Sequence, residues 1–144
     1  METGLTCHGA FIFCKTTGRF LFLLRNTPGR YQYSWSIPGG KQNAGESARK
    51  CLMREIEEEI GYLITVDFIP VDSFTSENGR FVYNTYFCVV DREIEIILNE
   101  EHCGSCWVPL DNFPRPMHPG VFNNIKERET RELLLKLIER NRCS

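Results

Sequence analysis

Apolar and polar positions fall along the chain in blocks that read as strand, strand, helix, strand, strand, helix. Gly9 to Cys14 (Gly-Ala-Phe-Ile-Phe-Cys) and Phe20 to Leu24 (Phe-Leu-Phe-Leu-Leu) are nearly unbroken apolar runs joined by Thr16-Thr17-Gly18-Arg19. Two such runs around a turn signal predict a pair of strands, and their continuity predicts burial on both faces. Asn26 to Tyr33, with Pro28-Gly29, is a predicted loop, and Ser34 to Ile37 a short extended piece ended by Pro38-Gly39-Gly40. The period then changes. From about Glu46 or Ser47 to Ile60, Ala48, Leu52 and Ile56 recur every fourth residue and Cys51 joins them, which predicts a helix with that stripe buried. Gly61 stands where a left-handed helix terminator is expected.

Val66 to Ser76 and Arg80 to Val90 flank Glu77-Asn78-Gly79, a hairpin signal. Glu93 to Leu98 alternates before an aliphatic run and predicts another strand. Asn99 to Gly104 reads as a loop, and Ser105 to Leu110 as a short strand carrying Trp107. Asp111 to Gly120 holds three prolines and is expected to be irregular. Val121 to Arg140 predicts a second helix, with Phe122, Ile125, Leu133, Leu134, Leu137 and Ile138 on its apolar side. The order β-β-α-β-β-α, with helices packed on a mixed sheet, predicts an α/β sandwich.

Composition narrows the class. With 144 residues, 42% of them hydrophobic, and a net charge of −2, the expectation is one domain over residues 1–144. A chain of this length buries close to two-thirds of its unfolded surface. No apolar run approaches the ~20 residues that span a bilayer, and Met1-Glu2-Thr3-Gly4 lacks the basic-then-apolar pattern of a secretory signal. No basic run suits general binding of duplex nucleic acid. Seven cysteines, an odd number scattered through predicted strands and helix, suit free thiols in a reducing compartment, so a cytoplasmic location is expected.

One block resists a purely structural reading: Arg54-Glu55-Ile56-Glu57-Glu58-Glu59, at the end of the predicted helix. Glu55 and Glu59 are like charges at i,i+4, which destabilises by roughly 0.2–0.5 kcal/mol. Carboxylates in a last turn also oppose the helix dipole, at roughly 0.3–1 kcal/mol each. Glu55, Glu58 and Glu59 share one helix edge, Arg54 precedes Glu58 by four residues as a favourable partner, and a divalent cation is the natural counter-charge. Carboxylate oxygens with no convincing imidazole or thiol partners favour Mg²⁺ or Mn²⁺ over Zn²⁺. In isolation, four glutamates would be a solvated helix face. Their spacing from earlier residues argues otherwise.

Gly40, five residues, Glu46, seven residues, then Arg54-Glu55-Ile56-Glu57-Glu58-Glu59-Ile60-Gly61-Tyr62 resembles the Nudix box, G-x5-E-x7-R-E-U-x-E-E-x-G-U, where U is a bulky aliphatic. All seven fixed identities match, and a chance match is on the order of 10⁻⁸ at roughly 1 in 15 per position. Tyr62, at the final aliphatic position, is the one departure. The hairpin ending in Leu23-Leu24-Arg25, the lead-in Trp35-Ser36-Ile37-Pro38-Gly39-Gly40, and Cys106-Trp107-Val108-Pro109-Leu110 extend the resemblance over nearly the whole chain. It implies an α/β/α sandwich and Mg²⁺- or Mn²⁺-dependent hydrolysis of a nucleoside diphosphate linked to another moiety, X, giving a nucleoside monophosphate and phosphorylated X.

Carried over by position, the resemblance implies that Glu58 and Glu59 are metal ligands and that Glu55 is a ligand or the water-activating base. A carbonyl of Gly39 or Gly40 completes the site, Arg54 orients a carboxylate, and Glu46 acts behind them. A base on a later loop is the other family pattern; Glu100 and Glu101 are its candidates here, and Glu101 is preferred as base and ligand. Arg25, Tyr33 and Trp35 are candidate substrate contacts, although aromatics beside strands more often pack in the core; Tyr31, Phe81 and Tyr83 share that ambiguity. Cys103-Gly-Ser-Cys106 beside His102 is half of a zinc pattern and reads better as ordinary thiols. The alternatives are an RNA 5′-pyrophosphohydrolase and a non-catalytic nucleotide-binding module. The partner is a small nucleotide substrate, and the resemblance admits a homodimer.

Overall fold

The two unbroken apolar runs form the middle of one mixed sheet. In the computed structural model, which describes residues 4–143, they are β1 (Leu5–Cys14) and β2 (Arg19–Arg25). The reading of Met1-Glu2-Thr3 lies outside the described residues. The other strands are β3 (Trp35–Ser36), β4 (Gly39–Lys41), β5 (Ile69–Thr75), β6 (Phe81–Val90) and β7 (His102–Val108). The sheet order is β3-β2-β1-β6-β5, with β4 also paired to β1 and β7 to β2. The β1–β6 ladder is parallel over ten residue pairs, and the others are antiparallel.

Successive side chains of a strand leave on opposite faces, so one sheet feeds two cores. Ala10, Ile12, Cys14, Leu21 and Leu23 pack against Leu52, Ile56 and Ile60 of α1 (Ala48–Ile60). Phe11, Phe13, Phe20 and Phe22 face the other way, onto Val121 and Ile125 of α2 (Pro119–Lys126) and Leu134 and Leu137 of α3 (Arg128–Asn141). The expected α/β/α sandwich is therefore the observed fold, with an aliphatic core under α1 and an aromatic one opposite. Helix α1 begins where the Ser47 hydroxyl accepts the Lys50 N–H at 3.1 Å. It ends at Gly61, whose φ of 72° lets its N–H reach Glu57 O at 2.9 Å.

Several expectations are corrected. Glu93–Leu98 forms no strand; the Ile97 N–H bonds Ile60 O at 2.9 Å, and Ile94 is buried, so this stretch packs on the end of α1. The single C-terminal helix is two helices. The chain leaves helical geometry at Glu127, whose carboxylate accepts the Glu129 and Thr130 N–H groups and caps α3. Phe122, assigned to the apolar side, is 37% exposed. Strand β7 starts three residues early, at His102, and Gly39–Lys41 pairs with β1 where a simple stop was expected.

Candidate active site

The fold brings the Gly39–Gly40 turn against the second half of α1. Strand β4 is registered on β1 with Gly39 opposite Gly9 and Gly40 opposite His8. Gly39 has φ 156°, and a Cβ there would stand 2.5 Å from Gly9 Cα. A Cβ on Gly40 would stand 2.5 Å from Glu55 Oε2. At Gly39 only glycine permits the approach, while at Gly40 any side chain would push the Glu55 carboxyl out of place.

Arg54 is the hub of the acid block. Its Nε and Nη2 donate to the two Glu46 oxygens at 2.8 and 2.9 Å, its Nη1 to Glu55 Oε1 at 2.8 Å, and Nη2 also to Lys41 O at 2.9 Å. The expected Arg54–Glu58 pair is present but looser, at 3.7 Å. The hydrogen bonds from Arg54 hold the Glu46 carboxyl down to about 2. Arg54 thus offsets part of the like-charge cost in the block, and Glu46, eight residues upstream, is its strongest partner rather than Glu58.

Glu59 is 2% exposed. Burial pushes its pKa well above the usual carboxylate range; the Gly39 N–H, 3.3 Å from Oε1, works the other way, and the charges of Glu101 and Glu55 add to the rise. Glu58 is half exposed. Glu101 is clamped by Asn99, whose Oδ1 accepts the Glu101 N–H at 3.1 Å and whose Nδ2 donates to Glu101 Oε2 at 3.2 Å. The Asn26 N–H donates to Glu101 O at 2.8 Å and ties this loop to the end of β2. Among the described residues, no three acidic, histidine or cysteine side chains stand in a ready metal-ligating group. Glu55 and Glu101 each lie within electrostatic reach of Glu59, while Glu58 stands 3.7 Å from Arg54.

Arg25 forms the facing wall. Its backbone is fixed on one side by Ser34 O and the Tyr33 N–H, at 2.9 and 2.8 Å, and it pairs with His102 on the other. Its Nε is buried without a hydrogen-bond partner. Trp35 is half-buried against the aromatic core, and its backbone bonds Pro116 O and the His118 N–H, each at 2.8 Å. Tyr33 adopts φ 63° and is 57% exposed. Tyr31 meets the His118 ring edge-on at 4.5 Å. Burial, helped by the Arg25 charge, lowers the pKa of His118; burial also lowers that of His102, against the pull of Glu101.

Two wall residues, His102 and His118, were not among the expected site residues. His118 carries no periodic signal, since it sits in a proline-rich turn and caps α2 through Nδ1. His102 reads from the sequence only as a neighbour of Cys103 and Cys106. Its direction is set by a bulge, where the β2–β7 register shifts between Leu24 and Arg25.

Comparison with known proteins agrees with this geometry. The NUDIX domain family matches residues 7–127. A nucleoside triphosphatase NudI from Escherichia coli O17:K52:H18 is 30% identical over 113 residues, covering 69% of this chain and 73% of the relative. A nucleoside triphosphate pyrophosphatase/Nudix hydrolase fusion protein of Bifidobacterium longum is 33% identical over 84 residues. That match covers 56% of this chain and spans only 17% of the fusion protein. Among solved structures, the MutT protein of Methanosarcina mazei Go1 superimposes with a TM-score of 0.72 at 26% identity, covering 92% of this chain and 98% of that one.

Proposed function

Because the chain belongs to the Nudix hydrolase family, we propose that it is a divalent-metal-dependent pyrophosphohydrolase acting on a nucleoside diphosphate linked to a second group, X. The observation that carries this reading is Glu59, a carboxylate buried to 2% exposure beside Glu55 and Glu101. Burial beside further acids disfavours the ionised form of this carboxyl, and a bound cation is the counter-charge that would favour it. Arg54 supplies one to Glu46 and Glu55 but not to Glu59. An all-oxygen donor set, with Gly40 drawn against the Glu55 carboxyl, fits a hard cation such as Mg²⁺ or Mn²⁺.

Glu55, Glu58, Glu59 and Glu101 would hold that ion together with a carbonyl of Gly39 or Gly40. When bound, it supplies charge neutralisation at the pyrophosphate and an acidified water. The protein's own residues do the rest. Arg54 fixes the Glu55 carboxylate, and Asn99 steadies Glu101 as the preferred base. Arg25, with its charge at the end of β2 and its Nε unpaired, is the candidate contact for a substrate anion, and Trp35 and Tyr33 are the candidate contacts for a base or X. Water adds to one phosphorus, the phosphoanhydride bond breaks, and the products are a nucleoside monophosphate and phosphorylated X.

The names of the relatives support nucleoside triphosphates, in which X is a phosphate, as the first compounds to test. A net charge of −2 gives little support to an RNA 5′ end, and a complete box gives none to a non-catalytic module. A single domain over residues 1–144 working in the cytoplasm completes the proposal; among the described residues no helix is long and apolar enough to cross a membrane. The test is a panel of nucleoside triphosphates, dinucleoside polyphosphates and nucleotide sugars with Mg²⁺ and then Mn²⁺, products identified. Turnover of at least one with release of a nucleoside monophosphate is expected; none across the panel would refute it.

A further inference from the structure

We propose that His102 is a positioning residue for Glu59, donating its Nδ1–H to the carboxylate and holding it in the orientation that binds the divalent cation. The proposal rests on the metal-site reading above.

The backbone shows why this histidine reaches the site. Along β2, Leu21 and Leu23 face α1 while Phe20 and Phe22 face the aromatic core. Across the ladder, Trp107 pairs with Leu21 and faces α1, and Cys106 pairs with Phe22 and faces the aromatic core. Strict alternation from Cys106 would send Gly104 and His102 toward the aromatic core as well. The bulge breaks that parity. Gly104 pairs with Leu24 and His102 with Arg25, so Cys103 is the extra residue. It bulges out to solvent, and His102 swings to the face of Arg25 and α1. Bulges often re-aim a side chain beside an active site in this way.

The side chain arrives buried, 8% exposed, with Nδ1 lacking any hydrogen-bond partner and Glu59 Oε1 at 3.9 Å. A buried imidazole nitrogen left unpaired is costly, and a shift of about 1 Å closes the gap to a normal hydrogen bond. Oε1 already accepts the Gly39 N–H at 3.3 Å. A second donor from β7 would hold this oxygen between two strands and leave Oε2 for the cation. The rival use of His102, a zinc site with its neighbouring cysteines, fails on geometry. Cys103 is exposed and Cys106 packs in the aromatic core on the other face of the sheet.

The test is titration of the full chain with Mn²⁺ alone, followed by electron paramagnetic resonance. It compares the parent with Glu59→Gln, His102→Ala, His102→Asn and His102→Gln, alongside kcat and KM on whichever panel compound turns over. An asparagine amide nitrogen sits where Nδ1 sits, one bond from Cγ, whereas a glutamine amide reaches toward Nε2. The expected result is Mn²⁺ binding weakened about 10-fold or more in His102→Ala, largely restored in His102→Asn and not in His102→Gln, with kcat falling and KM nearly unchanged. A folded His102→Ala with parental Mn²⁺ affinity overturns the proposal. If His102→Ala does not fold, equal Mn²⁺ affinities in His102→Asn and His102→Gln overturn it instead. If Glu59→Gln itself keeps parental affinity, the metal-site reading fails and takes this proposal with it. A weakened Glu59→Gln beside unaffected His102 variants sinks this proposal alone.

Discussion

The two walls of the candidate site are built in opposite ways. On the box wall, charge meets charge at 2.8–2.9 Å: Arg54 grips Glu46, Glu55 and the Lys41 carbonyl at once, and glycine at positions 39 and 40 lets backbone press on carboxylates. On the facing wall the backbone is fixed, but several side chains keep unpaired donors or exposed surface. Arg25 keeps a buried Nε without a partner, Tyr33 stands 57% exposed, and Trp35 is anchored mainly by its main-chain bonds. A wall whose carboxylates are held in place, with only Glu59 left without a counter-charge, suits a fixed chemical step, since preorganised charge costs no reorganisation during reaction. A wall with unspent donors and open aromatic surface suits recognition of a variable group. On this reading Arg54 and the box glutamates serve the chemistry, Arg25 and Tyr33 the choice of X, and His102 and Glu101 reach from the second side toward the first.

That division is open to attack, most strongly at the box. Glu59→Gln should lower kcat about 10²–10³-fold with KM little changed, measured on the best panel compound; a change confined to KM would place Glu59 on the wrong side of the comparison. Arg54→Lys should cost about 10–100-fold in kcat, because an ammonium cannot bridge Glu46 and Glu55 as the guanidinium fork does. The facing wall should respond differently. Arg25→Ala is expected to raise KM about 10-fold with kcat within a few-fold, the signature of binding shared by ground and transition states. Tyr33→Ala should change either constant by only a few-fold, since most of its ring meets solvent. A large kcat loss from either would merge the two walls.

The smallest expected effect is on stability. The Glu46 carboxyl titrates near 2 in the fold against an ordinary value of 4.5. A depressed folded value means that stability from the Arg54 pair is present above about pH 4.5 and drains away as pH falls toward 2. The difference in Tm between the parent and Glu46→Gln should therefore shrink across that window. A difference independent of pH would show that Glu46 acts through packing instead.

Much of the box wall was legible in the sequence because its information is spacing. Seven identities at fixed intervals on one helix and its lead-in survive any uncertainty about element boundaries, and Ser47 and Gly61 marked the helix ends by their own chemistry. The aliphatic and aromatic faces of β1 and β2 were harder to separate, because an unbroken apolar run carries no period, and only the partners reveal which residue faces which core. The facing wall depends on events that leave no pattern. A bulge opposite Leu24 and Arg25 reverses the direction of His102, a left-handed Tyr33 turns the chain back onto Arg25, and a proline-rich turn delivers His118. The false strand at Glu93–Leu98 has the same origin. Its alternation is real, but the apolar positions meet the end of α1 and not a neighbouring strand.

If the box wall is a metal-dependent centre for phosphoanhydride hydrolysis, the reaction requires both the cation and Glu59. The most direct measurement is ³¹P NMR of a nucleoside triphosphate incubated with chelator-treated protein, before and after Mg²⁺ is added. No change is expected before addition and, afterwards, nucleoside monophosphate and pyrophosphate should appear in equal amounts, with Glu59→Gln silent throughout. Hydrolysis that proceeds equally well in chelator, or in Glu59→Gln, would contradict that requirement.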